Sequence, residues 1–343
     1  MSVYPNLPST DATALTRKDF ATDQDVRWCP GCGDYAILAQ VQRTLPTLGI
    51  PKENFVFISG IGCSSRFPYY MDTYGMHTIH GRAPAFASGI KCTNRDLNVW
   101  MITGDGDSLS IGGNHLIHIL RRNVGVKILQ FNNQIYGLTK GQYSPTSEQG
   151  KRTKSTPMGS LDYPFNPISV ALGADATFVA RCVAVDAKHM QEMLRRAAAH
   201  DGTAFIEIYQ NCNIFNDGAF VHVGDRKQRP KNELRLEHGK PLIFGENKEK
   251  GIAIDAGMNP VVVDVADYGE ENLLVHDEGN RAMAFLLSRL THPDFPTPTG
   301  VFRSVERTPY DELLVAQVEA DKTKRSGLSV QDAIEDAHIW EVE

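Results

Sequence analysis

Between Asp34 and Ile208 short apolar runs alternate with stretches of helical periodicity, and this alternation restricts the fold more than any other feature of the chain. Phe55-Val56-Phe57-Ile58, Val99-Trp100-Met101-Ile102, Val126 to Phe131, Thr177 to Ala180 and Ala204 to Ile208 read as strands. The first of these is stopped by Gly60 and Gly62. Between and before them lie the helical stretches. Ile37, Leu38, Val41 and Leu45 fall on one helical face, with Asp34 as a candidate cap and Pro46 as a terminator. Ala83 to Thr93, residues 110–123, Asn166 to Leu172 and Lys188 to His200 follow the same rule. Strand after helix after strand predicts an α/β fold, a parallel sheet with helices on both faces.

Three zones are expected. Residues 1–25 read as an extended N-terminal arm, 26–216 as the domain that carries the motifs, and 217–343 as a C-terminal extension. In the extension, Arg235 to Gly245 looks like a charged hairpin turning at His238-Gly239. Val261 to Val265 and Leu273 to His276 are further strand candidates, and 306–343 reads as a polar, partly helical tail. A chain of 343 residues is long enough for a large core. The net charge of -6, with no basic block, argues against nucleic acid as a partner. No apolar run reaches the roughly 20 residues that span a bilayer, and Met1 to Asp25 lacks the apolar region of a secretory signal. A cytoplasmic location with reduced thiols is expected. The six cysteines (29, 32, 63, 92, 182 and 212) are then better read as ligands plus buried thiols than as three disulfides. Cys92 and Cys182, in a helix and beside a strand, read as packing residues.

Gly104-Asp105-Gly106 stands where a strand ends and a helix begins near Leu109, and Asn132-Asn133 ends the next strand, with residues 107–131 between. One βαβ crossover fits that interval and brings both strand ends to the ligand edge of the sheet. Magnesium prefers oxygen ligands and shares its shell with phosphates. Asp105 offers a carboxylate, Asn133 an amide oxygen and Ile135 a backbone carbonyl. Free N–H groups at the helix start would face a diphosphate, and glycine at 104 and 106 permits close approach. A bare pair of turns is the simpler alternative. The spacing in its strand–helix context resembles the thiamine diphosphate motif.

Cys29-Pro30-Gly31-Cys32 is a C-x-x-C pair, Cys63 follows the first strand, and Cys212 follows the last core strand. Cys63 and Cys212 are in strand-end loops on the ligand edge, where they could meet the C-x-x-C turn. Four thiolates there suit zinc or an iron–sulfur cluster, and the pair alone would also suit a redox disulfide; spacing does not choose among them.

The segments W-C-P-G-C-G-D (28–34), G-I-G-C-S-S-R (60–66), H-T-I-H-G-R-A (77–83), G-D-G-D (104–107), N-N-Q-I-Y-G-L-T-K-G-Q (132–142) and the late Cys212 occur together and in order. With them the chain, over roughly 26–216, resembles the beta subunit of 2-oxoacid:ferredoxin oxidoreductases, most of all those acting on 2-oxoglutarate. The resemblance implies that Cys29, Cys32, Cys63 and Cys212 hold a 4Fe-4S cluster and that Asp105, Asn133 and Ile135 bind Mg2+. It implies thiamine diphosphate contacts at Ile61, Gly62, Cys63, Ser64, His80, Gly106, Asp107, Gly137 and Leu138, and a coenzyme A contact at Lys140. His80 read alone is a loop donor, Lys140 a surface lysine, and Asp34 a helix cap or a cofactor neighbour. The implied reaction is oxidative decarboxylation of a 2-oxoacid with coenzyme A to acyl-CoA and carbon dioxide, electrons leaving through the cluster to ferredoxin. No well-placed glutamate is visible for activating the thiamine ring, so the resemblance implies that an alpha subunit supplies that carboxylate, in an αβ or α2β2 assembly. Pyruvate or another 2-oxoacid is the alternative substrate. A zinc-stabilised, non-catalytic α/β protein is the alternative of a different class.

Overall fold

The computed structural model describes residues 15–335 and Trp340. Eleven strands are found among them: β1 (Phe55–Ser59), β2 (Tyr74–His77), β3 (Asn98–Gly104), β4 (Val126–Asn132), β5 (Phe178–Val183), β6 (Ala204–Tyr209), β7 (Glu233–Leu236), β8 (Ile243–Phe244), β9 (Lys250–Ile254), β10 (Pro260–Asp264) and β11 (Thr297–Ser304). Eight of them form one sheet in the order β2-β1-β3-β4-β6-β5-β11-β7, and β10-β9-β8 form a small second sheet. The large sheet is parallel except where β11 runs antiparallel to β5.

Helices cover both faces, because successive side chains of a strand point to opposite sides. Along β3, Trp100 and Ile102 join the core beneath α1 (Asp34–Thr44), whereas Val99 and Met101 join the core on the other face. That second face is covered by α2 (Ala83–Thr93), a short α3 (Asp105–Leu109), α4 (Gly113–Arg122) and α5 (Pro167–Gly173). The helix α6 (Ala187–Ala199) packs beside α1, burying Met190, Met193, Leu194 and Ala197.

Several expectations change. Most of the expected arm lies outside the described residues, but Arg17–Phe20 forms a 3-10 turn with Phe20 fully buried, its ring 5.7 Å from that of Phe55. The helix expected near Leu109 is two helices: α3 starts at Asp105 itself, and α4 follows. Asp34 does not cap α1; Gly33 holds the cap position, and the Asp34 carboxylate is buried with neither oxygen hydrogen-bonded to nitrogen or oxygen. The Arg235–Gly245 hairpin does not form, since β7 joins the large sheet and β8 the small one. Leu273 to His276 makes one isolated bridge, Pro241 to Val275, rather than a strand. Beyond residue 216, β7 and β11 complete the large sheet. No described helix is long and apolar enough to cross a membrane.

Candidate functional site

The carboxyl ends of β1, β3, β4 and β6 open on one edge, and two adjoining cavities lie there. The first, about 330 Å³, is lined by Ile61, Gly62, Cys63 and Ser64 after β1, by His80, and by Asp105, Gly106 and Asp107 after β3. Asn133, Ile135, Gly137 and Leu138, beyond β4, complete it. Every expected thiamine and magnesium residue is therefore in its wall. Lys140 is not; it is exposed and lines the second cavity.

Two aspartates in this wall do different work. Asp107 is buried, and its Oδ1 accepts from the Ile61 N–H (3.1 Å) and the Gly81 N–H (2.7 Å) while meeting His80 Nδ1 at 2.6 Å. Its Oδ2 accepts from Thr103 Oγ1 at 2.8 Å. This carboxylate ties together the loops that carry Ile61–Ser64 and His80. Asp105 is also buried, but no cationic side chain among the described residues pairs with it. Its Oδ2 accepts from Ser144 and Thr146, each at 2.6 Å. Burial pushes its pKa up to about 6, against the pull of those two hydroxyls. A carboxylate so desolvated and so lightly partnered is the kind of group a divalent cation holds ionised. The nearby Ile135 carbonyl takes no hydrogen bond from the described residues, and Asn133 Oδ1 accepts only the Ile135 N–H at 3.1 Å. Three oxygens could thus hold one magnesium. A Cβ on Gly106 would collide with the Tyr136 ring, whose hydroxyl donates to the Gly106 carbonyl at 3.0 Å.

The second cavity, about 210 Å³, is lined by Cys29, Cys32, Cys63 and Cys212. Three hydrogen bonds draw their loops together. Trp28 Nε1 donates to the Cys63 carbonyl at 2.7 Å, the Gly33 N–H to the Asn211 carbonyl at 3.1 Å, and Asn213 Nδ2 to the Pro30 carbonyl at 2.7 Å. Gly31 makes the tight turn between the first two thiols with φ of 82°. Asn216 then links the Cys212 loop to the NN turn, its Nδ2 donating to the Asn133 carbonyl at 2.9 Å. Burial pushes the Cys63 thiol up to about 12, with Asp34 and Cys212 adding to the effect, and it raises Cys32 as well. Such thiols become thiolates when a metal centre supplies the positive charge. One tetrahedral zinc with thiolates at about 2.3 Å would hold its sulfurs about 3.8 Å apart. Among the described residues, three or more potential ligand atoms lie within 4.8 Å of one another only at Asp186, His189 and Glu233. No three of the four sulfurs come that close to one another, and all four face one cavity. Cys182 is in the core of β5, and Cys92 is half-buried in α2.

Ser144, Thr146, Asn216 and Gln210 escaped the sequence reading. They are ordinary polar residues with no diagnostic spacing, and only the path of the loops brings them here. Asn216, four residues after Cys212, has the strongest local signal, a turn bonded from its N–H to the Cys212 carbonyl.

Residues 60–208 match the family described as thiamine pyrophosphate enzyme, C-terminal TPP binding domain. The chain is 52% identical, over 98% of its length and 91% of the relative's, to 2-oxoglutarate oxidoreductase subunit KorB of Mycobacterium tuberculosis. It is 46% identical to 2-oxoacid:ferredoxin oxidoreductase 1, subunit beta, of Aeropyrum pernix over 55% of this chain and 60% of that one. In structure it resembles the 2-oxoglutarate:ferredoxin oxidoreductase from Magnetococcus marinus solved with 2-oxoglutarate, coenzyme A and succinyl-CoA bound. The TM-score is 0.78 at 31% identity, covering 98% of this chain and 100% of that chain. With the thiamine-type wall and the fold agreeing with these likenesses, the chain belongs to the beta subunits of the 2-oxoacid:ferredoxin oxidoreductases.

Proposed function

We propose that this subunit carries the thiamine and electron-transfer part of an enzyme that oxidatively decarboxylates 2-oxoglutarate. With coenzyme A the products are succinyl-CoA and carbon dioxide, and two electrons pass singly through one 4Fe-4S cluster to ferredoxin. The observation that carries the proposal is the shared wall of the two cavities: Cys63, Asn133, Gly137, Leu138 and Gln210 line both. Bound thiamine diphosphate supplies the electron sink for loss of carbon dioxide, and the cluster accepts electrons one at a time.

The chain's own residues hold and orient. Asp105, Asn133 and the Ile135 carbonyl are the magnesium ligands in this reading. Asp107, by engaging His80 Nδ1, fixes the imidazole and leaves its other nitrogen for a diphosphate oxygen. Arg27, Arg66 and Lys140 line the mouth of the cysteine cavity, and Arg27 and Arg66 also line an adjoining cavity that reaches Ile61 and Leu138. The cysteine cavity has these three cations and no acidic side chain in its wall, which favours the phosphates of coenzyme A, whereas the adjoining cavity sets Asp23 and Asp25 against its two arginines. Cytoplasmic surroundings would keep the four thiols reduced for cluster assembly. The carboxylates in the first cavity's wall are Asp105 and Asp107, both already engaged. The carboxylate that activates the thiamine ring is assigned to an alpha subunit.

Co-expression with the alpha subunit and anaerobic purification test the proposal. A brown complex with absorption near roughly 400 nm that bleaches on reduction is expected, with coenzyme A-dependent reduction of ferredoxin fastest on 2-oxoglutarate in a panel of 2-oxoacids. A colourless complex with stoichiometric zinc would sink it, and a preference for pyruvate would overturn the substrate.

A further inference from the structure

Gln210 is one residue beyond β6, its backbone N–H held by the Asn132 carbonyl at 3.0 Å. Its side chain is 3% exposed and stands in the wall common to both cavities. Oε1 is buried with no hydrogen-bond partner, and none of the described side chains or backbone groups bonds to Nε2. A Cβ on Gly33 would lie 2.9 Å from both Oε1 and Cβ of Gln210, so the side chain is pressed against the turn that holds Cys32. Leaving a buried amide without partners is unfavourable. Packing does not require it, because a methionine of similar length would fill the same wall. An amide that the protein leaves unbonded at a cavity wall is placed for what the cavity holds.

We propose that Gln210 is a positioning residue for electron transfer: its amide donates an N–H into the cysteine-lined cavity and raises the reduction potential of the cluster there. The inference rests on the cluster reading given above. An N–H dipole aimed at cluster sulfur favours the reduced state, which carries one more negative charge, over the oxidised one. The four thiolates set the cluster's place, and Gln210 adjusts how readily it accepts an electron from the neighbouring cavity.

Redox-titrated electron paramagnetic resonance of the holoenzyme, with its alpha subunit and purified anaerobically, tests this. Gln210→Met removes the donor at nearly constant shape, and Gln210→Glu replaces it with an acceptor. At full iron content, the midpoint should fall in Gln210→Met and fall further in Gln210→Glu. A tenfold change in the oxidised-to-reduced ratio at fixed potential reads as about 59 mV. Thiamine diphosphate affinity, followed by quenching of intrinsic fluorescence, reads separately the effect on the first cavity, whose wall Gln210 shares. Unmoved midpoints would overturn the proposal. Weakened thiamine affinity with an unmoved midpoint would do so too, by assigning the amide to the other cavity. Loss of iron from both variants would mean a structural role and equally refute tuning. A natural holoenzyme without any cluster signal would instead bring down the functional reading.

Discussion

Asp107 shows how much of the site depends on single carboxylates. Its two oxygens engage the Ile61 N–H, the Gly81 N–H, His80 and the Thr103 hydroxyl. Asp107→Ala strands the buried Gly81 N–H and Thr103 hydroxyl, each costing about 1–3 kcal/mol when unmet, and frees the part-buried Ile61 N–H and His80. Because they share one acceptor, the effects do not add; a loss of roughly 3–5 kcal/mol is expected in urea unfolding, with weaker thiamine diphosphate binding. Unchanged unfolding would mean that water replaces the carboxylate and that the loops stand without it. Gly106 is constrained by space rather than by charge. Its missing side chain is where the Tyr136 ring packs. Gly106→Ala should cost about 1–3 kcal/mol from overpacking, and Tyr136→Ala in the same chain should recover part of that loss. If the double variant is no more stable than Gly106→Ala alone, the ring is not the obstacle.

At the level of elements, the central strands are tied by charge as well as by their ladders. Arg181 on β5 meets Glu207 on β6 at 2.7 Å, and Asn132 at the end of β4 donates to the other Glu207 oxygen at 2.7 Å. Thr146 continues the chain of contacts, 3.0 Å from Asn132 Oδ1 and 2.6 Å from Asp105. Arg181 and Glu207 are 3% and 0% exposed, so removing one leaves a charge with no route to water. Arg181→Met is expected to cost about 3–5 kcal/mol, and Arg181→Met with Glu207→Met much less. Equal losses in the single and double variants, measured by denaturant titration, would contradict this. The same elements show what the sequence could reveal. Strands β1 and β3 carry unbroken apolar runs, and β4 and β6 are mostly apolar, broken by Lys127, Gln130 and Glu207, so they are legible, as are the motifs that follow them. Strand β11 has no legible pattern because Thr297–Ser304 mixes proline, glycine and arginine, and a polar side chain such as Thr299 finds its partner far along the chain, donating to Glu233 at 2.6 Å. All four residues of the edge strand β2 are exposed, so no buried face imposes an alternating pattern. In the site, contiguous motifs marked the ligands, but nothing local marks Ser144, Thr146 or Gln210, whose roles come from loops that meet only after folding.

Over the whole molecule, buried titratable groups are distributed so that acid acts on the fold far from the ligand edge. His200, just past the end of α6, is packed against Phe178 with ring centroids 5.4 Å apart, and its Nε2 meets Thr177 Oγ1 at 2.8 Å. Burial, aided by the neighbouring Lys127, lowers its pKa from the ordinary 6.5 to about 3. His189 within α6 is lowered to about 3 by burial and by Arg235. An unfolded chain takes up these protons near the ordinary value, before the folded chain does. The unfolded state therefore binds more protons between about 6.5 and 3, and the stability that each neutral imidazole contributes is full above that window and lost as pH falls through it. Asp34 and Asp105 act in the opposite sense, since burial raises them to about 7 and about 6 from 3.8. They gain protons first in the folded chain, which flattens the total curve. The difference between the natural chain and His200→Gln cancels those carboxylates and isolates one imidazole. Glutamine keeps a donor for Thr177 but does not titrate. Denaturant titrations from pH 7 to pH 4 should give the natural chain the steeper loss, by up to about 1.4 kcal/mol per pH unit once below the ordinary histidine value. Parallel curves for the two chains would mean that His200 takes up its proton as readily in the folded chain as in the unfolded one, and that burial does not hold it neutral.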